Sequence, residues 1–302
     1  MSFSPDRRTW LALMGAAIVT VIVFFMATDA AETLGASKAR LIHEEPSAFA
    51  PVVVYEVGAE RCLSFETMEE TGRQTCLRLD DPDRMVFAYT RMMTSALFVM
   101  PQPQNILIIG LGGGTLPTAL GRILPNAVID TVEIDPAVVR VAQTYFGYQP
   151  GPRQRVFVQD GREFIEQARR NQESYDMVML DAFDVDYIPA HLLTVEFFEQ
   201  IKAVLSHQGV LVANSFARSE IYDRESATYA AVFGPYFNLR SRVDGNRVII
   251  AATAELPSDE VLQQNAQALA KRLAPFGIDA EAALTRYSRV SAEDAKGEPL
   301  RD

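Results

Sequence analysis

The stretch ILIIGLGGGTLPTAL, residues 106–120, decides the fold of this chain. Its apolar start predicts a buried β-strand, the run of glycines predicts a tight turn, and apolar residues at helical spacing from Thr115 predict a helix. A glycine turn between a strand and a helix N-terminus lets a nucleotide-like ligand approach the backbone. The stretch therefore predicts ligand contacts at Gly110, Gly112 and Gly114, with a tight turn that binds nothing as the alternative.

Strands and helices continue to alternate after this stretch, which is typical of a mostly parallel sheet with helices on both faces. With NILIIG as the first strand, we predict a seven-stranded, doubly wound α/β fold. The last two strands, NLRSRVDG and NRVIIAAT, would form an antiparallel edge because a turn at residues 244–246 joins them. One more amphipathic helix is expected over residues 258–276, and the charged tail after Ser288 is expected to be loose.

Shifts in composition divide the whole chain into segments. We predict five of them: an anchor or signal segment (1–30), a polar linker (31–50), a small antiparallel β unit with a connecting helix over 81–99 (51–100), a Rossmann-like nucleoside-binding domain (101–276) and a tail (277–302).

Two cysteines lie in the small β unit. Cys62 and Cys76 flank a turn between two strand-like runs, RCLSFE and QTCLRL, a spacing that would make them near neighbours across a hairpin. In an oxidising compartment they would form a disulfide, and two buried free thiols are the alternative.

The N-terminus differs in kind from the rest. Residues 11–27 are apolar and uncharged, and Arg7 and Arg8 precede them. This length is near the minimum for spanning a bilayer and exceeds that of most signal-peptide cores. We therefore predict an N-terminal transmembrane or signal helix with its N-terminus in the cytoplasm. The remaining chain would be exported and anchored, or secreted if cleavage follows the small residues near Ala30.

Charge and residue usage exclude two classes of ligand. The formal net charge of −11 argues against a nucleic-acid partner, because such binding rests on clustered Lys and Arg. The same charge suits a small cationic substrate, and solubility alone is the alternative reason for it. The three histidines and two cysteines show no metal-ligand spacing, so we predict no metal site.

Acidic residues stand at the ends of three further strands: Glu133, Asp160 before Gly161, and Asp181 with Asp184. The carboxyl ends of parallel strands meet at one edge of a sheet, so these acids would surround one ligand. Thr115 breaks the dinucleotide-binding pattern, and no P-loop lysine follows the glycines. A nucleoside ligand is therefore favoured, and loop or helix capping is the alternative role of the aspartates.

The segments ILIIGLGGGT, VEIDP, QDGREF and YDMVMLDAFD have the order and spacing of the polyamine aminopropyltransferases, and the chain resembles this spermidine synthase family over about residues 51–253. The resemblance implies an S-adenosylmethionine-methyltransferase-like fold and a polyamine or other amine as acceptor. It also implies decarboxylated S-adenosylmethionine as co-substrate, without a permanently bound cofactor. The anchored chain is similar to membrane-linked bacterial members, which implies the inner membrane as its location, and the family's frequent dimers imply a homodimer.

The resemblance gives each site residue a role: Glu133 at the donor's ribose, Asp160 and Gly161 at its adenine, Asp184 as general base, and Asp181 and Tyr89 at the amine. The physical chemistry agrees with these roles. An alkyl ammonium has a pKa near 10.4, taking lysine as the reference, so the amine must lose a proton before it attacks. A carboxylate can both attract the amine and take that proton.

Three features depart from the family pattern. Gly113 replaces the aspartate that holds the donor's amino group, Thr90 replaces a glutamine, and the P-x-Y-P-S-G loop is missing before the last strand. Without that aspartate, the carboxylate of intact S-adenosylmethionine would meet no like charge. An S-adenosylmethionine-dependent methyltransferase is therefore the second hypothesis, and a catalytically silent, membrane-tethered nucleoside-binding domain is the third.

Overall fold

The computed structural model describes residues 38–68, 72–182, 188–241 and 245–302. The predicted transmembrane or signal segment, residues 11–27, lies outside these ranges, as does Asp184. Within them, no helix combines the length and the apolar character that crossing a bilayer requires.

Four strands form a small sheet in chain order: β1 (Arg40–Glu45), β2 (Val52–Val57), β3 (Glu60–Phe65) and β4 (Arg73–Arg78). β2, β3 and β4 pair antiparallel, as their alternating sequences predict. β1 was not expected, because residues 31–50 read as a linker. Its side chains contact a helix that is distant in sequence: His43 stacks on Tyr145, and Glu45 accepts hydrogen bonds from Arg140. No local sequence pattern reports such contacts.

Cys62 and Cys76 are partners in the register of β3 and β4, and a disulfide bond joins them in the structure. Both side chains are buried. The bond therefore links two strands that are already paired through their backbones.

The described residues form a second, eight-stranded sheet in the order β12-β10-β11-β9-β8-β5-β6-β7. Its strands are β5 (Asn105–Ile109), β6 (Val128–Glu133), β7 (Gln154–Val158), β8 (Tyr175–Leu180), β9 (Leu205–Phe216), β10 (Tyr236–Arg240), β11 (Asn246–Ala252) and β12 (Tyr287–Val290). The five strands from β5 to β9 are parallel, and β10, β11 and β12 add an antiparallel edge. The predicted α/β architecture is confirmed, and the number of strands was one too low.

The extra strand comes from the segment expected to be a loose tail. β12 pairs with β10 through four residues, from Tyr287 to Val290. Near the end of the chain, the Leu300 carbonyl accepts a hydrogen bond from the Val195 amide, and Asp302 forms an ion pair with Arg162. A four-residue strand is too short to show a clear alternation, and its partners are remote in sequence. The prediction of a loose tail was therefore wrong.

Eight α-helices cover the two sheets in the described part of the chain: α1 (Ala88–Thr94), α2 (Thr115–Ile123), α3 (Pro136–Tyr145), α4 (Gly161–Arg170), α5 (Val195–Val204), α6 (Tyr222–Phe233), α7 (Asp259–Leu273) and α8 (Ala280–Leu284). One face of the large sheet packs on α1, α2 and α7, and the other on α4, α5 and α6. β5 contributes side chains to the cores on both faces, with Ile106 and Ile108 on one side and Leu107 and Ile109 on the other. α3 instead packs on the small sheet.

The helix expected over residues 81–99 is shorter than predicted. It begins at Ala88 and continues as a 3-10 helix over Ser95–Phe98. Met85 instead forms a β-bridge with Leu77, and its amide donates to the Phe276 carbonyl. Pairing with distant backbone thus replaces the first helical turns.

Reduction of the Cys62–Cys76 bond should lower the free energy of unfolding by about 3 kcal/mol, the value expected for closing a loop of roughly 15 residues. Urea unfolding followed by circular dichroism, with and without reductant, measures this difference. The double variant Cys62→Ser/Cys76→Ser is the control, and its free energy of unfolding should be the same with and without reductant. Equal stability of the oxidised and reduced wild type would contradict the expectation.

Candidate functional site

The candidate site begins where β5 ends, at Gly110. Its amide donates to the Val132 carbonyl of β6 (2.8 Å), and the Asp181 amide after β8 donates to the Ile109 carbonyl (2.8 Å). Gly110 has a φ of 99°, and a Cβ at this position would overlap the Asp181 carbonyl oxygen. Only glycine satisfies both conditions, so the turn that follows β5 and the end of β8 lie in direct backbone contact.

A cavity opens at this junction, where the order of the parallel strands reverses. Its wall contains seven of the residues selected from the sequence: Tyr89, Gly110, Gly112, Glu133, Asp160, Gly161 and Asp181. The charged or titratable groups on this wall are three carboxyls, one imidazole and one phenol. Among the described residues that line it there is no lysine or arginine.

Two selected residues are not among those that line this cavity. Gly114 precedes α2 with a φ of 77°, and a Cβ there would lie 2.8 Å from the side chain of Tyr148. Gly114 therefore serves the turn and its packing against Tyr148. Asp184 lies outside the described residues, so its assigned role stays a prediction.

Glu133 fixes the glycine turn from the end of β6. One carboxylate oxygen accepts a hydrogen bond from the Leu111 amide (2.9 Å) and the other from the Asp135 amide (3.0 Å). Burial raises the pKa of Glu133 above its ordinary value, and these two amide donors counteract only part of that effect. Each oxygen keeps a further lone pair for hydroxyl groups of a ligand.

Asp181 has two donors of its own. Asn214 Nδ2 donates to its Oδ1 (2.9 Å), and the Tyr89 hydroxyl also forms a hydrogen bond with it. Burial raises the pKa of Asp181 to about 7, although both hydrogen bonds oppose that rise. The carboxyl is therefore divided between its protonated and ionised forms near neutral pH.

Asp160 combines a structural role with a place on the cavity wall. Its Oδ1 caps α4 by accepting from the Arg162 and Glu163 amides (2.8 and 3.0 Å), and its Oδ2 lies 2.9 Å from His191 Nε2. Burial alone would raise the pKa of Asp160, but the Glu163 amide and His191 outweigh it, so the net shift is downward. Asp160 is thus an ionised acceptor beside the helix N-terminus.

Gly113 has no room for a side chain. A Cβ there would lie 2.6 Å from Thr75 Cγ2 and 3.0 Å from the ring of Phe146. On the adjacent wall of the cavity, the hydroxyls of Thr75 and Thr115 are 3.2 Å apart. The position that carries an aspartate in the family pattern is therefore a glycine here, and Thr75 and Phe146 occupy the space that a side chain would need.

Thr90, the second departure, lines the cavity, but its hydroxyl donates to the Phe87 carbonyl (2.9 Å). The structure adds polar residues that the sequence did not single out: Gln74, Thr75, Gln159 and His191. Gln159 stands next to Asp160 and was detectable from that position. The others come from β4 and from a 3-10 helix at Ala190–Leu192, and no motif marks them.

Comparison with known proteins gives a consistent result. Residues 86–237 match the family described as the spermine/spermidine synthase domain. The polyamine aminopropyltransferase of Vibrio vulnificus is 43% identical over 263 residues, which cover 86% of this chain and 88% of that protein.

Two solved structures share the fold. The probable spermidine synthase from Corynebacterium glutamicum has a TM-score of 0.66 at 18% identity, covering 86% of this chain and 96% of that one. Human methyltransferase-like protein 13, solved in complex with SAH, has a TM-score of 0.55 at 27% identity, covering 62% of this chain and 89% of that one. The methyltransferase-like α/β fold predicted from the sequence is therefore confirmed.

Asp181 should make stability depend on pH. Its pKa is higher in the folded protein than in the unfolded chain, so the folded state holds the extra proton and loses stability as pH rises from about 4 to above 7. Asp181→Asn removes this dependence. The unfolding free energy of the variant relative to wild type should therefore rise by about 2–3 kcal/mol between pH 5 and pH 8.

Urea unfolding of both proteins at the two pH values measures this change, and the comparison cancels the parallel contribution of Glu133. An Asp181→Asn difference that stays constant with pH would show that the Asp181 carboxyl titrates normally.

Proposed function

The chain belongs to the polyamine aminopropyltransferase family, also described as the spermine/spermidine synthases, and we propose that its cavity transfers an aminopropyl group from decarboxylated S-adenosylmethionine to a small amine. Both reactants of such a transfer are cations: the donor carries a sulfonium and the acceptor an ammonium. A binding site for the pair must therefore supply negative charge without competing positive charge.

The wall of the cavity is the single observation that carries this proposal. Glu133, Asp160 and Asp181 converge from the ends of three strands, and no lysine or arginine is among the described lining residues. In a partly dehydrated cleft, charges of one sign attract and orient a ligand of the other sign. This arrangement suits a cationic nucleoside and a cationic amine, and it would repel a phosphorylated cofactor.

The donor would lie along the glycine turn. Glu133 has carboxylate lone pairs for the ribose hydroxyls, and Asp160 with the Gly161 backbone stands at the base-binding end. Helix α4 begins at Gly161, whose amide is not one of the two that Asp160 caps, so it would add a donor for a ring nitrogen.

The acceptor would lie near Tyr89 and Asp181. Its ammonium gives a proton to a carboxylate, and the freed nitrogen lone pair attacks the aminopropyl carbon bonded to the sulfonium sulfur. A C–N bond forms, the C–S bond breaks, and the sulfur leaves as a neutral thioether with both bonding electrons. We assign proton acceptance to Asp184 from the family motif, and the orientation of the amine to Asp181 and Tyr89.

A methyltransferase that uses intact S-adenosylmethionine is the second candidate, and the absence of a carboxylate at Gly113 favours it. The carboxylate of the intact donor would meet the hydroxyls of Thr75 and Thr115 rather than a like charge. The fold alone does not separate the two reactions, since both kinds of enzyme share it.

Calorimetry of the full chain against decarboxylated and intact S-adenosylmethionine separates the candidates. We expect tighter binding of the decarboxylated donor and, by mass spectrometry, an acceptor amine that gains one aminopropyl group. Tighter binding of the intact donor with methyl transfer would support the second candidate. Binding of neither donor would support the third hypothesis, a catalytically silent domain.

Asp184→Asn should lower turnover by a factor of at least about 10², because general-base catalysis contributes that much. Binding of the donor should be retained. Asp223→Asn is the matched control, since Asp223 is an exposed carboxylate at the start of α6. Near-normal turnover in Asp184→Asn would remove the general-base assignment.

We also propose that residues 11–27 anchor the protein in the inner membrane with the catalytic domain exported, and that the chain forms a homodimer. The uncharged length of the segment and the preceding Arg7 and Arg8 support the anchor. After cell fractionation, the full chain should sediment with membranes and resist extraction by high salt. Recovery of the full chain in the soluble fraction would contradict the anchor.

A further inference from the structure

Behind Asp181, two buried asparagines form a chain of hydrogen bonds that runs across the sheet. Asn214 of β9 donates from Nδ2 to Asp181 Oδ1 (2.9 Å), and Asn246 of β11 donates from Nδ2 to Asn214 Oδ1 (3.2 Å). Asn214 is 1% exposed and Asn246 is 8% exposed. β8, β9 and β11 are neighbours in the sheet, so all three side chains have fixed positions.

The direction of this chain matters because a carboxamide has two different ends. An ionised carboxylate only accepts hydrogen bonds, so it needs the NH₂ end of Asn214. If Asn214 were turned over, its oxygen would face the carboxylate and favour the protonated acid. Asn246 favours the first orientation, because its NH₂ group donates to the Asn214 oxygen.

We propose that Asn246 is a positioning residue: it holds the Asn214 amide with its NH₂ group toward Asp181 and thereby keeps Asp181 an acceptor for the substrate amine. Asn246 does not line the cavity and acts only through Asn214. The consequence for turnover rests on the proposed function. The effect on the Asp181 carboxyl does not.

Other groups around Asp181 leave this role to the asparagines. The titratable side chains that share its cavity wall are Tyr89, Glu133, Asp160 and His191, and of these Tyr89 forms a hydrogen bond with Asp181. The carboxylates of Glu133 and Asp160 have donors of their own.

The charge next to Asn246 is already compensated. The neighbouring Arg247 is fully buried and is paired with Glu225 of α6 at 2.7 Å.

Asn246→Asp tests the proposal, because it replaces the donor with an acceptor of the same size. Asn214 then turns its NH₂ group toward residue 246 and its oxygen toward Asp181. Burial has already raised the pKa of Asp181 to about 7, and the loss of a donor raises it further. We expect the acid limb of the rate profile to move up by about one pH unit, a roughly tenfold loss of kcat/KM on that limb, with the high-pH plateau retained.

Asn246→Ala removes the bond without adding a charge and should shift the limb in the same direction by less. Asn238→Asp is the matched control: Asn238 is a buried strand asparagine on β10 that donates to the Tyr222 hydroxyl and does not line the cavity. It should lower stability without moving the acid limb.

A direct titration separates this proposal from the proposed function. The Asp181 side-chain carbon, labelled with ¹³C and assigned by comparison with Asp181→Asn, reports its protonation by NMR in the ligand-free protein. A higher midpoint in the uncharged Asn246→Ala as well as in Asn246→Asp, with an unchanged midpoint in Asn238→Asp, supports the positioning role even if no aminopropyl transfer is found. An unchanged midpoint in a folded Asn246→Asp or Asn246→Ala protein overturns it.

Discussion

The backbone contact between Gly110 and Asp181 is the constraint on which the site depends. Because position 110 carries no side chain, the end of β8 approaches the turn after β5 closely enough for their backbones to touch. The same residue binds the carbonyl of β6 through its amide. Three strands thus end at one point, and the acids that follow two of them face a common cavity. A bulkier residue at position 110 would therefore move Asp181 away from Glu133 even in the ligand-free protein.

Burial and hydrogen bonding balance each other in this cavity. Removing a carboxyl from water favours its neutral form, and donors restore the charged form. Burial dominates the pKa shifts of Glu133 and Asp181, which are upward. At Asp160, the α4 amides and His191 outweigh burial and keep the carboxylate ionised. The wall therefore presents carboxyls with different proton affinities. Such differences allow one site to bind cations and also to exchange protons.

The space at Gly113, one of the departures from the family pattern, is limited by neighbouring side chains. Thr75 and Phe146 occupy the space that a side chain at Gly113 would need. β10 ends at Arg240 and β11 begins at Asn246, so only five residues separate the two strands. Asn246, the first residue of β11, reaches the back of Asp181 through Asn214.

The sequence alone determined the alternation of strands and helices, the glycine turn and the acids at the strand ends, because these features follow from local periodicity and from the direction of parallel strands. It also placed Cys62 opposite Cys76, since a short hairpin brings its own flanks together. Tertiary structure decided what depends on partners far apart in sequence: β1 held by α3, β12 added beside β10, His191 next to Asp160, and the asparagine chain behind Asp181. Such contacts have no local signature, because each arises from two segments whose proximity only the completed sheet creates.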